Sequence, residues 1–71
     1  MRLREERRRL RLTLRSCAAA LRESDPDCGI DFVTLSQFEN GRTPWPAARR
    51  VLAKFFAVPE AVLFDLEAIN E

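Results

Sequence analysis

Arginine carries most of the chemistry available to this chain. Of twelve basic residues only Lys54 is a lysine, and eight of the twelve fall in the first 22 positions: Arg2, Arg4, Arg7, Arg8, Arg9, Arg11, Arg15 and Arg22. A guanidinium is planar and always charged, and its fork of donors matches a phosphate better than an ammonium does. A basic face turned toward a polyanion is one reading, and a solvated helix face is the other; the net charge of +1 does not separate them. Acidic residues balance the arginines further along, at Glu23, Asp25, Asp27 and Asp31, and again at Glu60, Asp65, Glu67 and Glu71. Nucleophilic and metal chemistry are poorly served. There is no histidine, no glycine-rich phosphate loop and no cysteine beside a plausible base, so no enzyme is expected. Cys17 and Cys28 stand eleven residues apart rather than in a Cys-x-x-Cys pair. Neither a zinc site nor any cofactor is therefore expected, and both thiols are read as reduced rather than bridged.

The elements that must position these side chains are all helical, and five helices can be read. The first covers residues 2–10, with Leu3 and Leu10 on a thin apolar face and Arg7 between them on the same side. Thr13 is a good N-cap for a second helix over 14–22, whose inner side is Cys17, Ala18 and Leu21. Ala18-Ala19-Ala20 favours helix and lets a neighbour approach closely. Residues 23–29, with Asp25-Pro26 and Gly29, read as loop. Asp31 caps a third helix over 32–40 that points Leu35 and Phe38 inward, and Gly41 sits where a left-handed helix ending belongs. Pro46 opens a fourth helix over 46–57, with Ala48, Leu52, Phe55 and Phe56 for the core. Pro59 introduces a fifth over 60–69, with Val62, Leu63, Leu66 and Ile69 at helical spacing. No apolar run is long enough for a signal or a membrane span, so a soluble, cytoplasmic protein is expected.

Two segments are more specific than the helix pattern. They are Leu12-Thr13-Leu14-Arg15-Ser16-Cys17-Ala18-Ala19-Ala20-Leu21 and Gly29-Ile30-Asp31-Phe32-Val33-Thr34-Leu35-Ser36-Gln37-Phe38-Glu39-Asn40-Gly41-Arg42. Together they resemble the lambda-repressor-like helix-turn-helix family, also called the Cro/cI or XRE type. The most diagnostic stretch is Thr34 to Arg42, and Ala53 to Pro59 is similar to a later family segment. The resemblance implies a compact all-α, five-helix domain spanning the whole chain, with the helix-turn-helix at helices 2 and 3. Two departures stand out. About seven extra residues, 22–28, separate helix 2 from the turn, which either lengthens that helix or makes a protruding loop. Leu14 stands where the family often has a polar phosphate-contacting residue.

The resemblance also implies roles. The third helix would lie in the major groove of an operator in double-stranded DNA, with Phe32, Val33, Thr34, Ser36 and Gln37 toward base edges. Phe32 and Val33 offer apolar contact to thymine methyls, or else pack under the inserted loop. Thr34 and Ser36 bond either way, and Gln37 is the bidentate candidate, with adenine as its natural partner. Arg11, Arg15, Asn40, Arg42 and Thr43 would hold phosphates; for Asn40 the alternative is simply ending the helix, and for Arg42 a plain surface position. Glu39 and Arg7 both fall on inward faces, where a lone charge is costly, so they are expected to pair. Trp45 is expected either as a lid over helix 4 or at a phosphate or sugar edge.

The apolar surplus of the last helix, Val62, Phe64, Leu66 and Ile69, reads as a homodimer seam; the alternative is a self-contained core with Phe64 left exposed. Functionally the chain reads as a sequence-specific transcriptional regulator, a repressor of the phage or mobile-element kind or a restriction–modification controller. The rival is a protein-binding module on the same fold, such as an antitoxin, an anti-repressor partner or a bridging factor. Either way a regulatory protein partner is compatible with so short a chain.

Overall fold

The computed structural model describes residues 2–64. Five helices follow one another: α1 (Leu3–Arg9), α2 (Leu14–Ser24), α3 (Phe32–Glu39), α4 (Pro46–Phe56) and α5 (Glu60–Leu63), and the described residues contain no strand. The Cα radius of gyration is 11.3 Å, against about 11 Å expected for a folded chain of this length. None of these helices is long and apolar enough to cross a membrane.

The starts of α2, α3 and α4 are written in local chemistry. At α2 the Thr13 and Ser16 side chains bond each other's backbone N–H reciprocally, Ser16 N donating to Thr13 Oγ1 at 3.0 Å and Thr13 N to Ser16 Oγ at 2.9 Å. At α3 the Asp31 carboxylate accepts from Thr34 N at 2.8 Å, which holds that carboxyl below the usual carboxylate range. At α4 Pro46 occupies the first turn, where its missing N–H leaves no bond unmade.

Three helix endings share one device. After α1, Arg11 N donates to Arg8 O and Leu12 N to Arg7 O; after α3, Gly41 N donates to Phe38 O and Arg42 N to Gln37 O; after α4, Ala57 N donates to Lys54 O and Val58 N to Ala53 O. Each is the Schellman pair of bonds around one residue of positive φ: Arg11 (59°), Gly41 (114°) and Ala57 (57°). The motif brings the residue four before the positive-φ position against the residue just after it. The pairs so juxtaposed are Arg7 with Leu12, Gln37 with Arg42, and Ala53 with Val58.

These endings correct part of the sequence reading. The turn at Arg11 stops α1 before the apolar phase is complete, so Leu10, expected inside, is 40% exposed, and Leu12 packs against the core instead. The residues between α2 and α3 do both things open to them. α2 runs on to Ser24, two residues further than expected, and the loop that follows does not protrude freely, because Cys28 and Ile30 are buried in the core. Gly29, at φ +70°, makes the turn between them possible. Phe55 is only partly buried, beside fully packed Phe56. Helix 5 is described over Glu60–Leu63 only; the rest of the span expected to be helical, residues 65–69, lies outside the described residues.

One core joins all of this: Leu3 from α1, Cys17 and Leu21 from α2, Cys28 and Ile30 from the loop, Leu35 and Phe38 from α3, Ala48, Leu52 and Phe56 from α4, and Leu63 and Phe64 at the end. The backbone closes over it where Arg2 N donates to Leu63 O at 2.8 Å, tying the approach to α1 onto α5.

Candidate functional site

Helix α3 is sided. Leu35 and Phe38 have no exposed surface, and the Glu39 side chain is 2% exposed. At 100° per residue the opposite side carries Val33 and Gln37, flanked by Ser36 and Phe32 on one edge and Thr34 on the other. Val33 is 48% exposed and Gln37 is exposed, whereas Phe32, Thr34 and Ser36 are partly buried. The five residues predicted to face a groove are thus a two-residue crest with three shoulders. Val33 does not pack under the preceding loop.

An arginine stands at each end of this crest. At the N-terminal end the Arg15 guanidinium of α2 lies 4.1 Å from the centroid of the Phe32 ring, a distance at which the ring face attracts a cation. Arg15, Ala18, Ala19 and Arg22 of α2 face Asp31 and Phe32 across a shallow cleft, and the alanines keep its floor low. At the C-terminal end Arg42 Nη1 donates to Gln37 Oε1 at 2.5 Å. The Arg42 guanidinium also lies 5.7 Å from the Phe38 ring and 5.8 Å from that of Trp45. Trp45 in turn meets Phe38 edge-on, with centroids 5.4 Å apart, so its ring covers the end of α3.

The residues predicted to hold phosphates all reach solvent. Arg11, Arg15, Arg42 and Thr43 are exposed. Asn40 is exposed too, but its side chain is engaged: Nδ2 donates to Ser36 O at 2.8 Å and Oδ1 accepts from Arg4 Nη2 at 3.4 Å. It ties the end of α3 to Ser36 and to Arg4, the helix-ending role that was the alternative to a phosphate contact.

Behind the crest lies an ion pair. Arg7 Nε donates to Glu39 Oε2 at 2.7 Å and Nη2 to Oε1 at 3.1 Å, a two-pronged contact, while Nη1 donates to Leu12 O at 2.8 Å. One side chain thereby ties α1 to α3 and closes the α1–α2 turn. The bond from Glu39 raises the Arg7 pKa further above its already high ordinary value. Arg4, which sequence reasoning did not single out, adds a second guanidinium on Glu39 at 3.2 Å. It lies one turn before Arg7, and that i, i+3 spacing was the available signal.

The apolar residues assigned to a dimer seam divide. Val62 is 40% exposed, but Phe64 is 9% exposed and belongs to the chain's own core, because α5 ends at Leu63 and the turn at Phe64 folds the ring inward. Phe64 is therefore withdrawn from the seam. Leu66 and Ile69 lie outside the described residues. Both cysteines are free and buried. Burial pushes the Cys17 thiol up to about 11, which keeps it protonated and unreactive at neutral pH. Among the described residues no group of side chains is arranged to hold a metal ion.

No family model, no curated protein and no solved structure matches this chain.

Proposed function

We propose that this chain is a sequence-selective double-stranded DNA-binding regulator, with α2 and α3 acting as a helix-turn-helix and the crest of α3 entering the major groove. The observation that carries this reading is the crest itself. One side of a short, firmly capped helix is left open, with the exposed Val33 and Gln37 along it and an arginine at each end. The crest gives apolar and hydrogen-bonding contacts for base edges, Arg15 supplies a cation for the flanking backbone at one end, and at the other Arg42 stands bonded to Gln37 of the crest itself. The resemblance of residues 12–21 and 29–42 to lambda-repressor-like regulators supports the same assignment. Such regulators commonly act as dimers on paired half-sites, and exposed Val62 is the described residue left to support a seam here.

Selection of bound duplexes from a random pool, followed by affinity measurements across a salt series, tests the proposal. An enriched motif is expected, with log K falling against log salt at a slope of about −0.9 per phosphate neutralised. Equal affinity for all duplexes at moderate ionic strength overturns it. The exposed Val33 keeps one rival in view, a protein-docking face on the same helix. Binding of that kind is apolar, responds weakly to salt and shows no duplex preference.

A further inference from the structure

The contact between Gln37 and Arg42 changes what the crest can read. We propose that the two side chains act as one recognition unit selective for guanine, and that Arg42 sets the base specificity of Gln37. This rests on the DNA-binding reading above.

The argument starts from donors and acceptors. A free glutamine recognises adenine with both ends of its amide, the oxygen accepting from N6–H and the nitrogen donating to N7. In this protein Oε1 already accepts from Arg42 Nη1. The amide orientation is not a matter of choice, because a guanidinium has five donors and no acceptor, so only the oxygen of Gln37 can face it. The Gln37 NH₂ is left as the group available beyond Arg42. A second lone pair remains on Oε1, but an adenine N6–H approaching it comes up beside a full positive charge, and that arrangement is repulsive. Arg42 has N–H groups to spare once one is used on Gln37. The composite surface therefore presents donors only. Guanine, with O6 and N7 both accepting on its major-groove edge, is the base that complements it.

The fold holds the unit together. Arg42 follows directly on Gly41, the positive-φ residue that ends α3, and the Schellman bond from its N–H to Gln37 O, 2.9 Å, sets the two backbones side by side. A hydrophobic contact commonly joins those two positions in this motif; here a charged hydrogen bond takes its place. The Phe38 and Trp45 rings restrain the guanidinium from the other side. Gln37 and Arg42 are exposed, and neither side chain takes part in the core.

The experiment is selection from a random-sequence duplex pool with three proteins: the parent, Gln37→Ala and Arg42→Leu, each checked for helix content and melting temperature. The base pair whose preference disappears in Gln37→Ala marks the position being read. At that position the parent is expected to favour guanine over adenine by about tenfold, the scale of one bidentate contact. Arg42→Leu is expected to swing the preference to adenine while the rest of the motif stays unchanged. Arg42→Ala, which removes the donor without adding an apolar side chain to the surface, gives the same readout should leucine impair folding. Any base other than guanine at that position in the parent overturns the proposal, as does a Gln37→Ala protein with an unaltered motif. Arg42 variants that weaken every duplex alike without changing the motif also overturn it, by making Arg42 a phosphate contact. A pool with no enriched motif in the parent overturns the DNA-binding reading itself, a different result from any of these.

Discussion

The two sides of α3 hold arginine contacts of the same chemical kind in opposite circumstances. Inward, Glu39 is 2% exposed and takes two prongs from Arg7, whose side chain is 12% exposed. Outward, Gln37 takes one bond from Arg42 in full view of solvent. The inner contact has little competition from water. Leu12 O absorbs a further donor of Arg7, Arg4 adds a second guanidinium on Glu39, and removing Glu39 strands the Arg7 charge. The outer contact is open to water, so it contributes little to folding, and the N–H groups it leaves unused are free to meet a ligand. A single eight-residue helix thus separates what keeps it in place from what it offers to a partner.

The comparison can be broken at the inner pair first. Glu39→Ala should destabilise the fold by about 3 kcal/mol, the low end for stranding one partner of a buried pair, and any DNA affinity should fall with it. A urea or thermal melt matching the parent would show that the pair does not hold α3. The double replacement Arg7→Met with Glu39→Leu should recover much of that loss, since apolar packing removes the stranded charge. An alkaline titration reaches the same layer through Cys17. Its folded-state pKa, about 11 against an ordinary 9.0, lies above the unfolded value. Its contribution is therefore fully present below pH 9 and is lost as pH rises toward 11. A Cys17→Val protein should show a flatter melting profile across that window. At the start of α2, Thr13→Ala should cost about 1 kcal/mol by denaturant melt. The Asp31 cap on α3 should show itself in acid. Because its carboxyl is held low, its contribution is present above the unfolded carboxylate pKa and fades as pH falls through the depressed value. An Asp31→Asn protein should be less sensitive to acid than the parent. On the outer side, Val33→Ala and Arg42→Leu should each leave stability within about 0.5 kcal/mol of the parent. A larger loss from either would mean that the crest is structural after all.

Much of the scaffold was legible because short-range chemistry decides it. Thr13, Asp31 and Pro46 announce the starts of α2, α3 and α4, and each start falls within the next residue or at the proline itself. The inward spacing of Arg7 and Glu39 pointed to a contact that the geometry contains. Failures fall where tertiary packing outweighs local pattern. Cys28 and Ile30 sit in a run punctuated by Asp25, Pro26, Asp27 and Gly29, so their burial was hidden by polar neighbours. Leu10 obeyed the helical period, but the chain turns at Arg11, a residue type that rarely adopts positive φ. Phe64 was counted with the continuation of its helix, whereas a turn there returns it to the core. The Gln37–Arg42 contact lies outside the usual i, i+3 and i, i+4 rules, because its five-residue spacing becomes a contact only through the ending at Gly41.

Of the three left-handed endings, only the one after α3 uses the residue suited to it; α1 and α4 turn through Arg11 and Ala57, whose Cβ atoms make that conformation unfavourable. Exchanging Ala57 for glycine relieves that local strain at a site on the far end of α4, away from any residue of the crest. The domain accordingly carries a reserve of thermal tolerance that an engineer could release without touching the surface that would meet a duplex.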